Sequence, residues 1–221
     1  MTIKDKLYVR LMYVYNLFFA KSLYRKNLYK WFLKNWDNTF LVNYPLNNDS
    51  VVIDVGWYVG SFSDKILSKY NCNIYIFEPV KKYYDLLKEK YKNNKKVFIF
   101  PFGLGNKNDK LSINIDGERS SIYTSKENEE QIVIKPFHEV FSEQEIEKID
   151  LMSINIEWWE YDLINNIIGN KIIDKIAFLQ IQFHDFVDYA EDKRKKAIEE
   201  IKKTHKVHYS YPFVWESFTK K

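Results

Sequence analysis

The run Val51-Val52-Ile53-Asp54-Val55, followed by Gly56-Trp57-Tyr58-Val59-Gly60, constrains this chain more than any other stretch. Four β-branched residues in five favour an extended strand. A continuous apolar run, rather than an alternating one, implies burial on both faces. A strand covered on both sides needs helices above and below it, which is the layering of an α/β fold. The glycines predict a tight turn, and Phe62, Ile66, Leu67 and Tyr70 then share one helical face. Ile74-Tyr75-Ile76-Phe77, closing on Glu78-Pro79, reads as a second strand. Val80, Tyr84, Leu87 and Tyr91 give a second helical stripe, and residues 97–102 a third strand. This βαβαβ order predicts a parallel sheet with right-handed crossovers.

Beyond residue 105 the pattern changes. Residues 111–115, 121–124 and 131–135 read as short strands, with turns at Asp116-Gly117 and Glu127-Asn128. They predict a small β-insertion beside the sheet. Strand and helix then alternate again: strand 149–156, helix 161–168, strand 176–183, helix 192–205, and a closing segment over 207–215.

Residues 1–48 read as a separate N-terminal helical cap or extension, and 49–221 as the main domain. Leu11-Met12-Tyr13-Val14-Tyr15 and Leu17-Phe18-Phe19 are flanked by basic residues, with Asp5 the only acid before Asp37. Two fates fit that pattern. One is a cap packing its aromatic face on the core. The other is peripheral contact with an anionic membrane surface. No apolar run approaches the ~20 residues of a membrane-spanning helix.

Composition narrows the function classes. With 34 basic and 30 acidic residues the net charge is +4, which does not by itself imply nucleic acid. One cysteine, Cys72, excludes an internal disulfide. His138, His184, His205 and His208 are scattered, so no metal-ligand spacing is evident. These features fit a cytoplasmic, reducing location.

In an open parallel sheet, ligands bind at the carboxyl ends of the strands. The first strand there presents glycines that let backbone approach a ligand, and the second presents the Glu78 carboxylate, which can accept both hydroxyls of a ribose. A dinucleotide fingerprint needs a third glycine in the first turn to seat a pyrophosphate. This turn has only Gly56 and Gly60, and no P-loop pattern is present. A phosphate-free adenosyl ligand therefore fits better than NAD. The bland alternative is an ordinary βα turn followed by a surface glutamate.

The combination of segments is more specific. Val52-Ile53-Asp54-Val55-Gly56 with Tyr58 and Gly60-Ser61-Phe62, then Phe77-Glu78-Pro79, Gly103-Leu104-Gly105, Ser120-Ser121, residues 149–157, Gln180-Ile181-Gln182-Phe183-His184 and residues 211–216 come in the order of the FkbM family's motifs. The chain thus resembles FkbM-type, class I S-adenosylmethionine (SAM)-dependent methyltransferases over residues 51–216. In that family Gly103-Leu104-Gly105 matches the turn after the third strand.

The resemblance implies a Rossmann-like, seven-stranded, mostly parallel sheet with helices on both faces. It implies methyl transfer from SAM to an acceptor oxygen, often on a sugar or a glycan-related molecule, with no metal required. Asp54 would act near the methionine moiety or through water, and Glu78 at the ribose. Gly56, Trp57, Tyr58, Gly60, Pro79 and Gly103 would surround the cofactor, with Ser121 near the adenine. Asn155, Glu157 and His184 would supply the catalytic groups at the ends of the fourth and fifth strands. A buried structural histidine is the competing reading of His184.

The chain departs from the family pattern at several positions. Trp57 stands where the family carries a small residue, Trp158 and Trp159 where Gly-Gly or Gly-x is usual, Asn155 for an aspartate and Ser153 for a lysine. Either the indoles line the cleft and stack on a cationic or sugar ligand, or Trp57 and Trp158 fill the pocket and leave a non-catalytic scaffold. A third reading, RNA methylation, needs a continuous basic face. The basic excess is instead concentrated in the first 34 residues.

Overall fold

The computed structural model describes residues 23–34, 36–56, 58–116, 119–121, 129–157 and 159–221. The strands are β1 (Val51–Val55), β2 (Asn73–Phe77), β3 (Val97–Phe100), β4 (Gly103–Gly105), β5 (Asp109–Asp116), β6 (Arg119–Ser121), β7 (Glu129–Pro136), β8 (Ile149–Ile154), β9 (Ile176–Ile181), β10 (His205–Tyr211) and β11 (Trp215–Lys220). The helices are α1 (Leu23–Leu33), α2 (Ser61–Tyr70), α3 (Lys81–Tyr91), α4 (Phe137–Glu143), α5 (Glu160–Gly169) and α6 (Ala190–Thr204).

Seven strands form the central sheet in the order β10-β11-β9-β8-β1-β2-β3. The run from β9 to β3 is parallel, as the apolar runs predict, while β11 lies antiparallel between β9 and β10. The order reverses at β1 and β8, the kind of switch point where open sheets bind ligands. The expected closing segment over 207–215 is in fact a hairpin. Its turn passes through Phe213 at φ 63°, and its second strand runs on to Lys220.

Alternation across β1 divides the core. Ile53 and Val55 face one layer, where α4, α5 and α6 bury Phe137, Leu163, Ile167, Ile198 and Ile201. Val52 faces the other, where α2 and α3 bury Phe62, Ile66, Leu87 and Tyr91. Burying each such side chain stabilises the fold by about 1.5–3 kcal/mol. α2 starts at Gly60, in the left-handed region at φ 77°, and ends at Asn71, whose N–H donates to the Leu67 carbonyl. On α3 the buried stripe is Tyr83, Leu87 and Tyr91, a clean four-residue spacing, and Tyr84 lies outside it.

The N-terminal segment covers the same face as α2 and α3. Trp31 is buried edge-on against Tyr211, with ring centroids 5.5 Å apart. Asn27 Nδ2 donates to the Pro212 carbonyl at 3.1 Å. The Tyr44 hydroxyl donates to Gln180 Oε1 at 2.8 Å and lies 2.9 Å from Ser217 Oγ. The aromatic stretch 11–19 lies outside the described residues. No helix among the described residues is long and apolar enough to cross a membrane.

The insertion is a second sheet in the order β4-β7-β5-β6. Gly103-Leu104-Gly105 is not a turn: it is β4, paired parallel with Ile134-Lys135-Pro136 of β7. The helix α4, which the periodicity did not single out, follows directly from Pro136.

Candidate active site at the carboxyl edge of the sheet

The ends of β1, β2 and β8 open onto a cleft of about 500 Å³. Its far wall is the apolar side of the insertion sheet, Ile113, Ile132 and Ile134, continued by Val80 and Tyr83 of the β2–α3 junction. Period-two alternation in β7, with Ile132 and Ile134 inward and Gln131 and Val133 outward, builds that wall. Tyr58 and Trp159 pack on the same cluster, with the Tyr58 and Tyr83 rings 4.1 Å apart. Glu78 and Glu157 are the charged residues lining the cleft, and no lysine or arginine joins them among the described residues.

Gly56 turns the chain at the end of β1. Its φ is +85°, and a Cβ there would sit 2.3 Å from the Asn155 carbonyl oxygen and 2.5 Å from Ile156 Cγ2. Only glycine lets the two strand ends approach this closely. Tyr58 follows with φ 55°, a left-handed backbone in a residue with a Cβ. Strain of that kind is stored where the surroundings enforce it.

Glu78 ends β2, is 5% exposed, and lines the cleft. Its Oε1 accepts the Val80 N–H at 2.9 Å. Burial pushes its carboxyl up to about 8, against that hydrogen bond and with help from the charges of Asp54 and Glu130.

Of the residues singled out by sequence, Gly56, Tyr58, Glu78, Pro79, Gly103, Asn155 and Glu157 come together around this cleft. Asp54 does not line it. That side chain is fully buried and accepts a hydrogen bond from the Ser63 hydroxyl of α2, which ties β1 to its crossover helix. Gly60 lies behind the turn, against Tyr91 and Leu87 of α3. Ser121 ends β6, and its side chain falls outside what is described. His184 stands past the end of β9, outside the cleft lining, with its backbone N–H donating to Glu160 Oε1 at 3.0 Å. Trp57 and Trp158 lie outside the described residues, so both readings of them do too. Trp159 lines the cleft.

Sequence reasoning missed Tyr83, Ile132, Ile134 and Glu160. The alternation around Ile132 was visible as a strand, but nothing local showed that its inner face meets a ligand-sized space. Glu160 reads as an ordinary acid in the first turn of a helix.

No family model matches the sequence, and no curated protein matches it. Solved structures do. A methyltransferase-type protein of Streptococcus mutans, in complex with SAH, has a TM-score of 0.53 at 14% identity, covering 85% of this chain and 97% of that one. A protein of Clostridium thermocellum described as an rRNA methylase reaches 0.52 at 11%, with coverages of 85% and 97%. A precorrin-6y C5,15-methyltransferase of Geobacter metallireducens reaches 0.50 at 10%, covering 86% and 88%. At such identities the likeness is one of architecture. The central sheet, with its antiparallel β11 between β9 and β10, shares the Rossmann-like α/β architecture of these structures.

Proposed function

We propose that this chain is an FkbM-type, SAM-dependent O-methyltransferase whose acceptor is a hydroxyl of a sugar, a glycan or a related small molecule. The observation that carries the reading is the cleft at the switch point, acidic and apolar, with the buried Glu78 carboxyl at its rim. A cleft lined by no lysine or arginine among the described residues disfavours a polyphosphate and suits a neutral adenosyl group bearing a sulfonium. The chain's own groups fit such a ligand. Glu78 offers acceptor lone pairs to a ribose diol, Gly56 lets the methionine end pass close to backbone, and the isoleucine wall takes an apolar ring face. When bound, SAM supplies a methyl group already activated on a positively charged sulfur.

What the protein must add is alignment and a place for the acceptor's proton. Asn155 and Glu157 line the cleft at the end of β8, where they orient an acceptor hydroxyl. His184 lies past the neighbouring strand end and takes the proton. The aromatic rings of Tyr58 and Trp159 border the same cleft, where a cation over an aromatic face is favourable by ~0.5–2 kcal/mol.

Calorimetric titration of the purified chain with SAM and SAH tests the cofactor. Glu78→Ala should weaken binding by about 10- to 100-fold above pH 8, where the carboxyl is ionised, the worth of hydrogen bonds to a charged group. Absence of heat and of thermal stabilisation at millimolar SAM would leave a non-catalytic scaffold. Label transfer from methyl-tritiated SAM to methyl glycosides, beside structured RNA, separates the acceptor classes.

A further inference from the structure

We infer that Glu160 positions His184 as a carboxylate–imidazole dyad at the tips of β8 and β9, making His184 the base for the acceptor hydroxyl; this rests on the methyltransferase reading above. Glu160 is wholly buried at the first residue of α5, directly after cleft-lining Trp159. One oxygen, Oε1, accepts the His184 backbone N–H at 3.0 Å, and the imidazole Nδ1 lies 3.4 Å from that same oxygen. Glu160 Oε2 and His184 Nδ1 hold no hydrogen bond among the described residues. Buried polar atoms are almost always satisfied, and those that are not cluster where function needs them. A small rotation of the ring or the carboxylate closes the Nδ1–H···O contact. Catalytic hydrogen bonds are commonly long before a substrate is seated.

The surroundings hold the pair in register. The Tyr161 hydroxyl donates to the Ala190 carbonyl at 3.3 Å and reaches the His184 carbonyl at 3.5 Å, fixing both ends of the β9–α6 loop. The helix N-terminus favours a negative charge on its first residue. The His184 side chain is 12% exposed, so the ring reaches the surface while its partner does not. With Nδ1–H directed at the carboxylate, Nε2 carries the free lone pair. Nε2 would take the acceptor's proton as the acceptor oxygen bonds to the methyl carbon, with the carbon–sulfur electron pair left on sulfur. The resulting imidazolium sits beside the Glu160 carboxylate, the arrangement that makes a histidine an effective base.

A carboxylate that only tethers the loop through the backbone N–H predicts something different. Glu160→Gln keeps the one oxygen that faces both that N–H and Nδ1, so it preserves the tautomer and removes only the charge, whereas Glu160→Leu removes that acceptor altogether. The full chain labelled with ¹⁵N-histidine, its His184 resonances assigned with His184→Asn, should show Nδ1–H in the wild type and in Glu160→Gln, and Nε2–H in Glu160→Leu. SAM affinity by calorimetry should agree within threefold among the three. Transfer to methyl glycosides should fall about 10²- to 10⁴-fold in kcat in both variants with KM for SAM unchanged. An Nε2–H wild type, an Nδ1–H tautomer in Glu160→Leu, or transfer by Glu160→Gln within twofold of wild type would overturn the dyad. Loss of SAM binding in the wild-type chain would sink the methyltransferase reading instead, and the tautomer measurement still decides the dyad.

Discussion

Glu78 and Glu160 are both buried carboxyls at the same edge of the same sheet, yet their surroundings assign them opposite work. Glu78 spends one oxygen on the Val80 N–H and stands at the rim of an open cleft. Glu160 spends one oxygen on the His184 N–H and turns toward an imidazole, outside the cleft lining. Burial alone does not distinguish a ligand-binding acid from one that orients a neighbour. What else stands beside the carboxyl does.

The sharpest way to break the comparison is to close the cleft itself. Gly56→Ala should destabilise the fold by about 2–5 kcal/mol, from a left-handed backbone plus overpacking, measured by denaturant unfolding. Any folded fraction should lose SAM binding. Glu78→Ala comes next: SAM affinity falls by the 10- to 100-fold given above, while stability changes little, because removing a desolvated carboxyl offsets the lost acceptor of the Val80 N–H, which water in the open cleft replaces. Glu160→Ala should do the reverse. It leaves a buried N–H unpaired and lowers stability by about 1–3 kcal/mol, with SAM affinity within threefold of wild type. Equal effects of the two alanine variants on affinity would erase the distinction.

The smallest effect is one of pH. The folded Glu78 carboxyl titrates near 8 against an ordinary value of 4.5. Between those values the folded state holds a proton that the unfolded chain has released. Stability from this group is therefore greatest at low pH and is lost as pH rises from about 4.5 to about 8. Ribose hydroxyls donate to the ionised form, so SAM affinity should rise as pH passes through about 8. Glu78→Gln should flatten both slopes, read by unfolding midpoints and titrations at matched pH. A wild-type slope equal to that of Glu78→Gln would show that Glu78 ionises as an exposed acid does.

Much of the fold was legible because its signals are local. Apolar runs marked β1, β2, β8 and β9, and Gly56 and Glu78 could be placed at strand ends by counting. The errors arose where two answers differ only in tertiary context. Tyr83 and Tyr84 are adjacent, and either completes a helical stripe; contact with the insertion sheet selects Tyr83. Gly103-Leu104-Gly105 has turn-like composition, and only its pairing with β7 makes it a strand. The side-chain alternation of β1 turns Asp54 into the α2 layer, where Ser63 meets it, a placement that counting along the strand does not give. Glu160 was invisible for the same reason: its partner is 24 residues away in the chain and meets it only through the β8–β9 pairing.

The position of β11 bears on how such a chain is made. The sheet cannot gain its β10 edge until Trp215–Lys220 has been synthesised and slotted between two earlier strands. Tyr44 bonds to Ser217 as well as to Gln180, so this segment finds its full docking site only after a strand 173 residues further along the chain has emerged. Its aromatic face, Trp31 included, must wait for β10 in a form the ribosome and chaperones tolerate.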